Sequence, residues 1–330
     1  MPDLSGMLLV VVVLAYLFDF SNGWHDSANA IATVVSTRVL SPLVAVLMAA
    51  VLNVAGAFMS TEVAKMVGTG IVDPSAISQL VVASALSGAI LWNLVTLWLG
   101  LPSSSSHALI GGLVGSGLVH GGQEVVKLSG LRKVLEAMIL SPFFGFLMAF
   151  LLMVLISWVF FRTQRGVATK LFSRLQIVSA GFMAFSHGAN DAQKAMGIIT
   201  LALLSAGLIP TAEVPMWVIV SCALAMGLGT AMGGWKIIRT LGMRVVKLEP
   251  VHGFAAETGA AVVLMTTAQI GLPVSTTHTI TSSVMGVGAV KRLSAIRWGV
   301  TARILYAWVF TLPSTALLAA LIYVLFARLL

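Results

Sequence analysis

NGWHDSANA at residues 22–30 returns in altered form as HGANDAQKA at residues 187–195. Gly23 falls on Gly188, Asp26 on Asp191 and Ala30 on Ala195, 165 positions apart in a chain of 330 residues. A second pair follows in the same order: LPSSSSHALIGGLVGSG (101–117) and LPVSTTHTITSSVMGVG (272–288) align Pro102 with Pro273, His107 with His278 and Gly117 with Gly288. Pro142 and Pro313, and Gly88 and Gly259, keep the 171-residue offset of that second pair. Four blocks repeated in order make the chain two copies of one unit, so the fold is decided by how two copies pack.

The residues around those blocks set the solvent. The chain is 58% hydrophobic and only 9% charged, far below the roughly 25% charged residues of a soluble domain. Apolar runs approaching the ~20 residues that span a bilayer recur throughout. This predicts an all-α polytopic protein of the cell (inner or plasma) membrane, with the lipid bilayer as its partner. The formal charge of +8 does not point to nucleic acid, because the basic residues sit in short loops, where they read as topology signals. Cys222 lies alone in an apolar run, which leaves no disulfide framework. The N-terminal run MPDLSGMLLVVVVLAYLF has no basic n-region and reads as a first span.

About five crossings per half are expected, at 7–35, 42–60, 79–99, 104–119 and 139–161, then 175–208, 216–234, 251–270, 275–290 and 300–326. An odd number inverts the second copy. The loop FRTQRGVATKLFSR carries Arg162, Arg165, Lys170 and Arg174 without an acid, so it belongs in the cytoplasm. The organisation is then a first repeat (1–161), a cytoplasmic linker (162–174) and a second, inverted repeat (175–330). The segment 61–78, with Glu62, Lys65 and Asp73, reads as a loop, and Glu62 with Lys65 as a solvated pair. Inverted repeats are an architecture of secondary transporters, with the site at the repeat interface near midplane.

The polar residues inside the apolar runs follow helical spacing. Asn22, Asp26, Asn29 and Thr33 share one face, as do His187, Asp191 and Lys194 in the second copy. Intramembrane ionisable side chains cost about 2.5–3.5 kcal/mol each on insertion scales, so they call for partners or a wet cavity. Interhelical hydrogen-bond glue is the bland alternative, but a duplicated Asp-centred stripe favours function. The blocks Ser103–Ser104–Ser105–Ser106–His107 and Val274–Ser275–Thr276–Thr277–His278 each open a Gly-rich segment of about 16 residues, short for a span and suited to a re-entrant hairpin or broken helix. Hydroxyls and free N–H groups at a helix start make an anion site. Two such starts meeting from opposite sides would cradle a tetrahedral oxyanion through Ser104, Ser105, Ser106, Ser275, Thr276 and Thr277, with His107 and His278 in support or bonded to backbone carbonyls.

An anion beside Asp26 and Asp191 requires an intervening cation or a proton on the anion. The carboxylates therefore suit bound Na⁺, a carried H⁺, or selection of phosphate, which keeps a proton at neutral pH. All three imply ion-coupled anion transport without an organic cofactor. Lys194 either pairs with Asp191 at i, i+3 or faces the anion. Glu257 is a further intramembrane acid with Leu86 in the aligned position, an asymmetry that fits coupling or a local hydroxyl pair. Among rivals, a sulfate or other oxyanion permease shares every feature except the preference given by the acids. A Ser–His hydrolase is disfavoured because Ser103–Ser106 lie too close in sequence to His107, and a passive channel because it needs no charged stripes.

GANDAQKA (188–195) and GWHDSANA (23–30) resemble the duplicated G-A-N-D-x-x-N-A signature of the inorganic phosphate transporter (PiT) family, and PVSTTH (273–278) and PSSSSH (102–107) its paired P-x-S-[ST]-[ST]-H blocks. The likeness spans essentially the whole chain and is strongest to the bacterial low-affinity permeases. It implies a phosphate symporter driven by Na⁺ or H⁺, working by alternating access, with an inverted repeat of about 10–12 transmembrane or re-entrant helices, usually homodimeric. It places ion and phosphate contacts on Asp26, Asn29, Asn190 and Asp191 and on the Ser/Thr–His blocks; a Na⁺ would lie on those four residues. Coupling roles then fall to Asp26, Asp191, Asn22, His25 and Glu257, with His187 and Lys194 supporting. Two departures matter: His25 replaces the motif Asn of copy one and Lys194 the last Asn of copy two, which disfavours a symmetric pair of cation sites and leans toward protons. Asn53 stands where some members carry Glu.

Overall fold

The computed structural model describes residues 4–329. The first half runs α1 (Leu4–Ser36), α2 (Pro42–Ala57), α3 (Glu62–Lys65, continued by a wider turn at Met66–Gly70), α4 (Gln79–Leu99), α5 (Ser105–Gly121) and α6 (Leu128–Val159). The second repeats it as α7 (Arg165–Ser205), α8 (Met216–Met232), α9 (Trp235–Arg239, with the same wide turn at Thr240–Arg244), α10 (Pro250–Gln269), α11 (Thr276–Lys291) and α12 (Trp298–Leu329). The fold is an all-α membrane protein built as an inverted repeat of two homologous halves. Among the described residues, α1, α4, α6 and α12 are long and apolar enough on their own to cross a membrane, and the pairs α2–α3 and α8–α9 are so when taken together.

The duplication extends to the punctuation. Gly100 and Gly271 adopt left-handed φ of 68° and 72°, closing α4 and α10 so that the chain turns back into α5 and α11. These are the two short hairpin arms, and neither is long enough to span. Pro142 and Pro313 sit inside α6 and α12. α2 and α3 meet at a bend of 70°, α8 and α9 at 61°.

The halves do not lie side by side; they interlock. α1 packs on α8 and α2 on α7, while α5 packs on α12 and α11 on α6. Each crossing closes over a residue without a side chain. A Cβ on Gly23 would lie 2.3 Å from the Met226 carbonyl oxygen, and one on its mate Gly188 2.1 Å from that of Asn53. Gly115 and Gly286 do the same against Ala316 and Phe146, at 2.1 and 2.4 Å. Small residues let helix backbones approach where lipid supplies no hydrophobic drive. The lipid-facing belt is apolar, with Trp98, Trp158, Val309 and Leu329 each more than two-thirds exposed, and the polar residues are buried at the centre.

Four expectations change. Residues 61–78 are not simply a loop, since α3 occupies their first part. Glu62 and Lys65 pair there at 2.6 Å with both side chains partly exposed, and the break after Ala57 hides the helix from a hydropathy reading. Residues 236–244, left between the expected crossings 216–234 and 251–270, likewise form the end of α9 and its wide turn. Most of 162–174 is helical from Arg165 on, because ATKLFSR contains no breaker and continues into α7. α6 also starts well before 139, with an amphipathic turn held by Arg132–Glu136 at 2.7 Å.

Candidate functional site

α1 and α7 carry the repeated stripe past each other in the middle of the protein, and α5 and α11 aim their first turns at it. Every residue of the stripe is buried: Asn22, His25, Asp26, Asn29, His187, Asn190, Asp191 and Lys194 are no more than 2% exposed. The hairpin arms reach the two acids in matching ways. Ser105 donates to Asp26 Oδ2 at 3.0 Å, and its repeat mate Thr276 donates to Asp191 Oδ2 at 3.2 Å. Thr277 then crosses between halves and donates to Asp26 Oδ1 at 3.1 Å. The Asn29 amide donates to both Thr276 (3.1 Å) and Thr277 (2.9 Å). Asp26 is thus held by both hairpins.

The charge partners differ between the copies. His25 Nδ1 lies 2.7 Å from Asp26 Oδ1, and its Nε2 faces Thr96 (3.1 Å) and Ser103 (3.3 Å). Lys194 donates to Asp191 Oδ1 at 2.6 Å, so of the two roles open to it the structure shows the pair. His187 Nε2 is 3.5 Å from Asp191 Oδ2, while its Nδ1 meets Asn53 Oδ1 at 3.1 Å, and Asn53 in turn donates to Thr230. Asp26, His187 and Asp191 bring one ligand atom each within 4.8 Å of one another, a set that could hold a cation.

At the hairpin tips, Ser104 and Ser275 are capping residues: each accepts from the backbone N–H three residues on, of His107 and His278, at 3.2 Å. Their lone pairs are engaged with their own helices, as expected of an N-cap. Ser106 donates to the Val274 carbonyl at 2.9 Å and so ties one tip to the other. Beneath the tips, the His107 and His278 rings meet edge to face at 4.5 Å, and His278 stacks on Trp308 at 3.8 Å. Trp308 donates to the Pro102 carbonyl at 3.1 Å. Neither ring nitrogen of His107 has a hydrogen-bond partner, nor does either side-chain atom of Asn22 or Asn190. Buried polar groups are seldom left so, and clusters of them mark functional cavities.

Glu257 lies apart from this cluster. Thr33 donates to Oε1 at 2.5 Å and Gln176 at 3.1 Å, and Ser179 donates to Oε2. Thr33 carries the α1 stripe to it. Reading the sequence did not single out Gln176, Ser179, Thr96, Thr230 or Trp308. Gln176 and Ser179 precede His187 by 11 and 8 residues on one helical face, which was the available signal for them; Trp308 gives none.

An inverted repeat with two re-entrant hairpins converging on buried acids at the repeat interface is the architecture of an ion-coupled secondary transporter. The family model "Phosphate transporter family" matches residues 22–169 and again 162–319. The chain belongs to the phosphate transporter family. It is 49% identical over 319 residues to a protein of Rhizobium meliloti (strain 1021) named a probable low-affinity inorganic phosphate transporter, covering 96% of each. A Bacillus subtilis (strain 168) protein of the same name is 47% identical over 321 residues, again covering 96% of each. A solved structure described as the sodium-dependent phosphate transporter superposes with a TM-score of 0.91 at 26% identity, covering 98% of this chain and all of that one.

Proposed function

We propose that the protein imports inorganic phosphate together with protons by alternating access, binding the oxyanion between the tips of α5 and α11. The observation that carries this reading is the shared use of hydroxyls. Ser105, Thr276 and Thr277 each have a single O–H, and each O–H is directed at Asp26 or Asp191. While the acids are ionised, those donors are engaged and the carboxylates repel an anion. A proton on either acid removes a charge, adds a donor and frees hydroxyls to turn to the oxyanion. Proton and phosphate are then bound through the same atoms, so each raises affinity for the other, as linkage requires.

Asn29 and Asn190 complete the shell with amide donors, and the first-turn N–H groups of α5 and α11 supply the dipole ends that favour an anion. Protons are favoured over sodium because Lys194 already neutralises Asp191 at 2.6 Å, in the place where a sodium ion would otherwise be held, and because His25 gives Asp26 a titratable neighbour. The curated relatives are named as transporters, and the reading includes no catalytic step. The family resemblance supports a homodimer, and the basic run after α6 supports a cytoplasmic placement of residues 162–174.

The test is uptake of labelled phosphate into proteoliposomes holding the purified protein, with proton and sodium gradients imposed separately. Accumulation under the proton gradient, blocked by arsenate and unaffected by sulfate, is expected. Accumulation only under the sodium gradient would overturn the coupling assignment, and sulfate accumulation in place of phosphate would overturn the substrate.

A further inference from the structure

The two copies also differ where their hairpins begin, away from the buried acids. Gly100 and Gly271 turn the chain into the hairpin arms, and each packs against the short helix of the other copy. A Cβ on Gly100 would lie 3.1 Å from Lys236 Cβ, and one on Gly271 3.1 Å from the Glu62 carbonyl oxygen. The wide turns Met66–Gly70 and Thr240–Arg244 set the register between these junctions. Glu62 then aligns with Lys236, Lys65 with Arg239 and Gly70 with Arg244. In copy one the charges cancel, because Glu62 pairs with Lys65. In copy two three cations stand together, and among the described residues none of them joins a salt bridge.

Lys236, Arg239 and Arg244 surround a cavity of about 410 Å³ that Trp98, Trp235 and Thr240 also line. That volume is within the range of about 300–1,000 Å³ usual for small-ligand sites. Its two sides are tied together. Lys236 Nζ donates to the Trp98 carbonyl at 2.8 Å and lies 5.7 Å from the centre of the Trp98 ring. Thr240 donates to the Gly100 carbonyl at 3.0 Å. The wall toward lipid is apolar, with Trp98 71% and Leu99 53% exposed. Basic residues near span ends serve topology and indoles settle at headgroup level, but topology asks for no cavity between them. Guanidinium forks match phosphate oxygens, and the exposed wall beside them suits acyl chains. The chain after α9 leads to Glu249, which lines a second cavity with Arg165 of the basic run after α6. The junction therefore lies at the end of the bundle placed in the cytoplasm above, where the leaflet is anionic.

We propose that this cavity binds the phosphate group of an anionic glycerophospholipid. Arg239 and Arg244 hold the phosphate, Lys236 stands beside it, and the acyl chains run along Trp98 and Leu99. The bound lipid bridges α9 and the Gly100 turn, five residues before Ser105. The neutral junction in the other copy has no such site, so lipid is held on one leaflet only.

The test uses the full-length protein, delipidated in detergent and titrated with phosphatidylglycerol, phosphatidylcholine or inorganic phosphate. Bound lipid is counted by native mass spectrometry. Phosphatidylglycerol is expected to bind more tightly than phosphatidylcholine. Arg239→Gln with Arg244→Gln is expected to weaken it about thirtyfold, equivalent to ~2 kcal/mol at ~1 kcal/mol per basic residue. Lys65→Gln, at the other junction, is expected to leave binding unchanged. Equal binding of the two lipids, or unchanged binding in the double Arg variant, would overturn the proposal. Displacement of phosphatidylglycerol by inorganic phosphate would overturn it too, since the cavity would then be a site for the free anion. Should the double variant fail to fold, nanodiscs decide with wild type and Trp98→Phe. Phosphatidylglycerol brominated on its acyl chains is expected to quench wild-type tryptophan fluorescence more than phosphatidylcholine brominated alike, with the excess reduced in Trp98→Phe. Equal quenching by the two lipids, or an excess that Trp98→Phe keeps in full, would overturn the proposal.

Discussion

The two halves of this protein share a backbone and differ in charge. α1 and α7 cross the molecule with the same glycine at the crossing and the same aspartate facing the hairpins, and Ser105 and Thr276 reach those aspartates alike. The partners then diverge: an imidazole beside Asp26, an ammonium on Asp191. Asp19 aligns with Ala184 in the other copy, and Glu257 with Leu86. Duplication built a symmetric frame, and substitution within it made the charge around the two aspartates one-sided.

The largest expected break of that comparison is at the aspartates. Asp191→Asn leaves Lys194 as a buried cation without its partner, a loss of about 3–5 kcal/mol, whereas Asp26→Asn leaves an imidazole that can stay neutral and is expected to cost clearly less. Thermal denaturation in detergent checks the order, and both variants are expected to lose coupled uptake. Adding Lys194→Met to Asp191→Asn is expected to restore stability without restoring transport. Equal stabilities of the two single variants would contradict the asymmetry.

Next comes Glu257. Glu257→Leu copies the first-half residue and strands Thr33, Gln176 and Ser179, at roughly 1–3 kcal/mol for each buried group left unsatisfied. Glu257→Gln keeps much of that network and is expected to fold, with proton-driven uptake reduced more than exchange. The reciprocal Leu86→Glu is expected to destabilise the protein and add no coupling, because no such donors surround it.

Smaller effects sharpen the comparison at the tips. Thr276→Val removes a hydroxyl that both donates to Asp191 and accepts from Asn29, and Ser105→Ala one that donates to Asp26 alone. At ~1 kcal/mol per hydrogen bond, KM for phosphate is expected to rise about fivefold in Ser105→Ala and further in Thr276→Val. Ser106 points at a carbonyl, so Ser106→Ala is expected to change KM least of the three.

The frame was readable from residues because repetition is preserved in order and spacing: the paired Pro102/Pro273 and Gly88/Gly259 locate both hairpins without coordinates. What composition hid were elements whose signal is short. α3 and α9 follow sharp bends and carry charges, so they resemble loops. The stripe on α1 is legible by helical period, and the same period reaches back to Asp19. Which hydroxyl meets which acid depends on the interlocking of halves. Thr277 on Asp26 and Thr33 on Glu257 join residues more than 220 positions apart, and no local pattern encodes such pairs. Ser104 and Ser275 cap their own helices as acceptors, the local preference of a hydroxyl just before a helix, and each keeps an O–H to donate.

The most direct test is to locate the oxyanion. Arsenate shares the shape and protonation of phosphate and scatters anomalously, so a crystal structure of the protein with arsenate marks the site without assumption. The account predicts one peak between the first turns of α5 and α11, within hydrogen-bonding distance of Ser105, Thr276 or Thr277 and of Asn29 or Asn190. A peak confined to the basic surface cavity of about 270 Å³ lined by Lys247, Lys291, Arg292 and Arg297, with none at the tips, would contradict it.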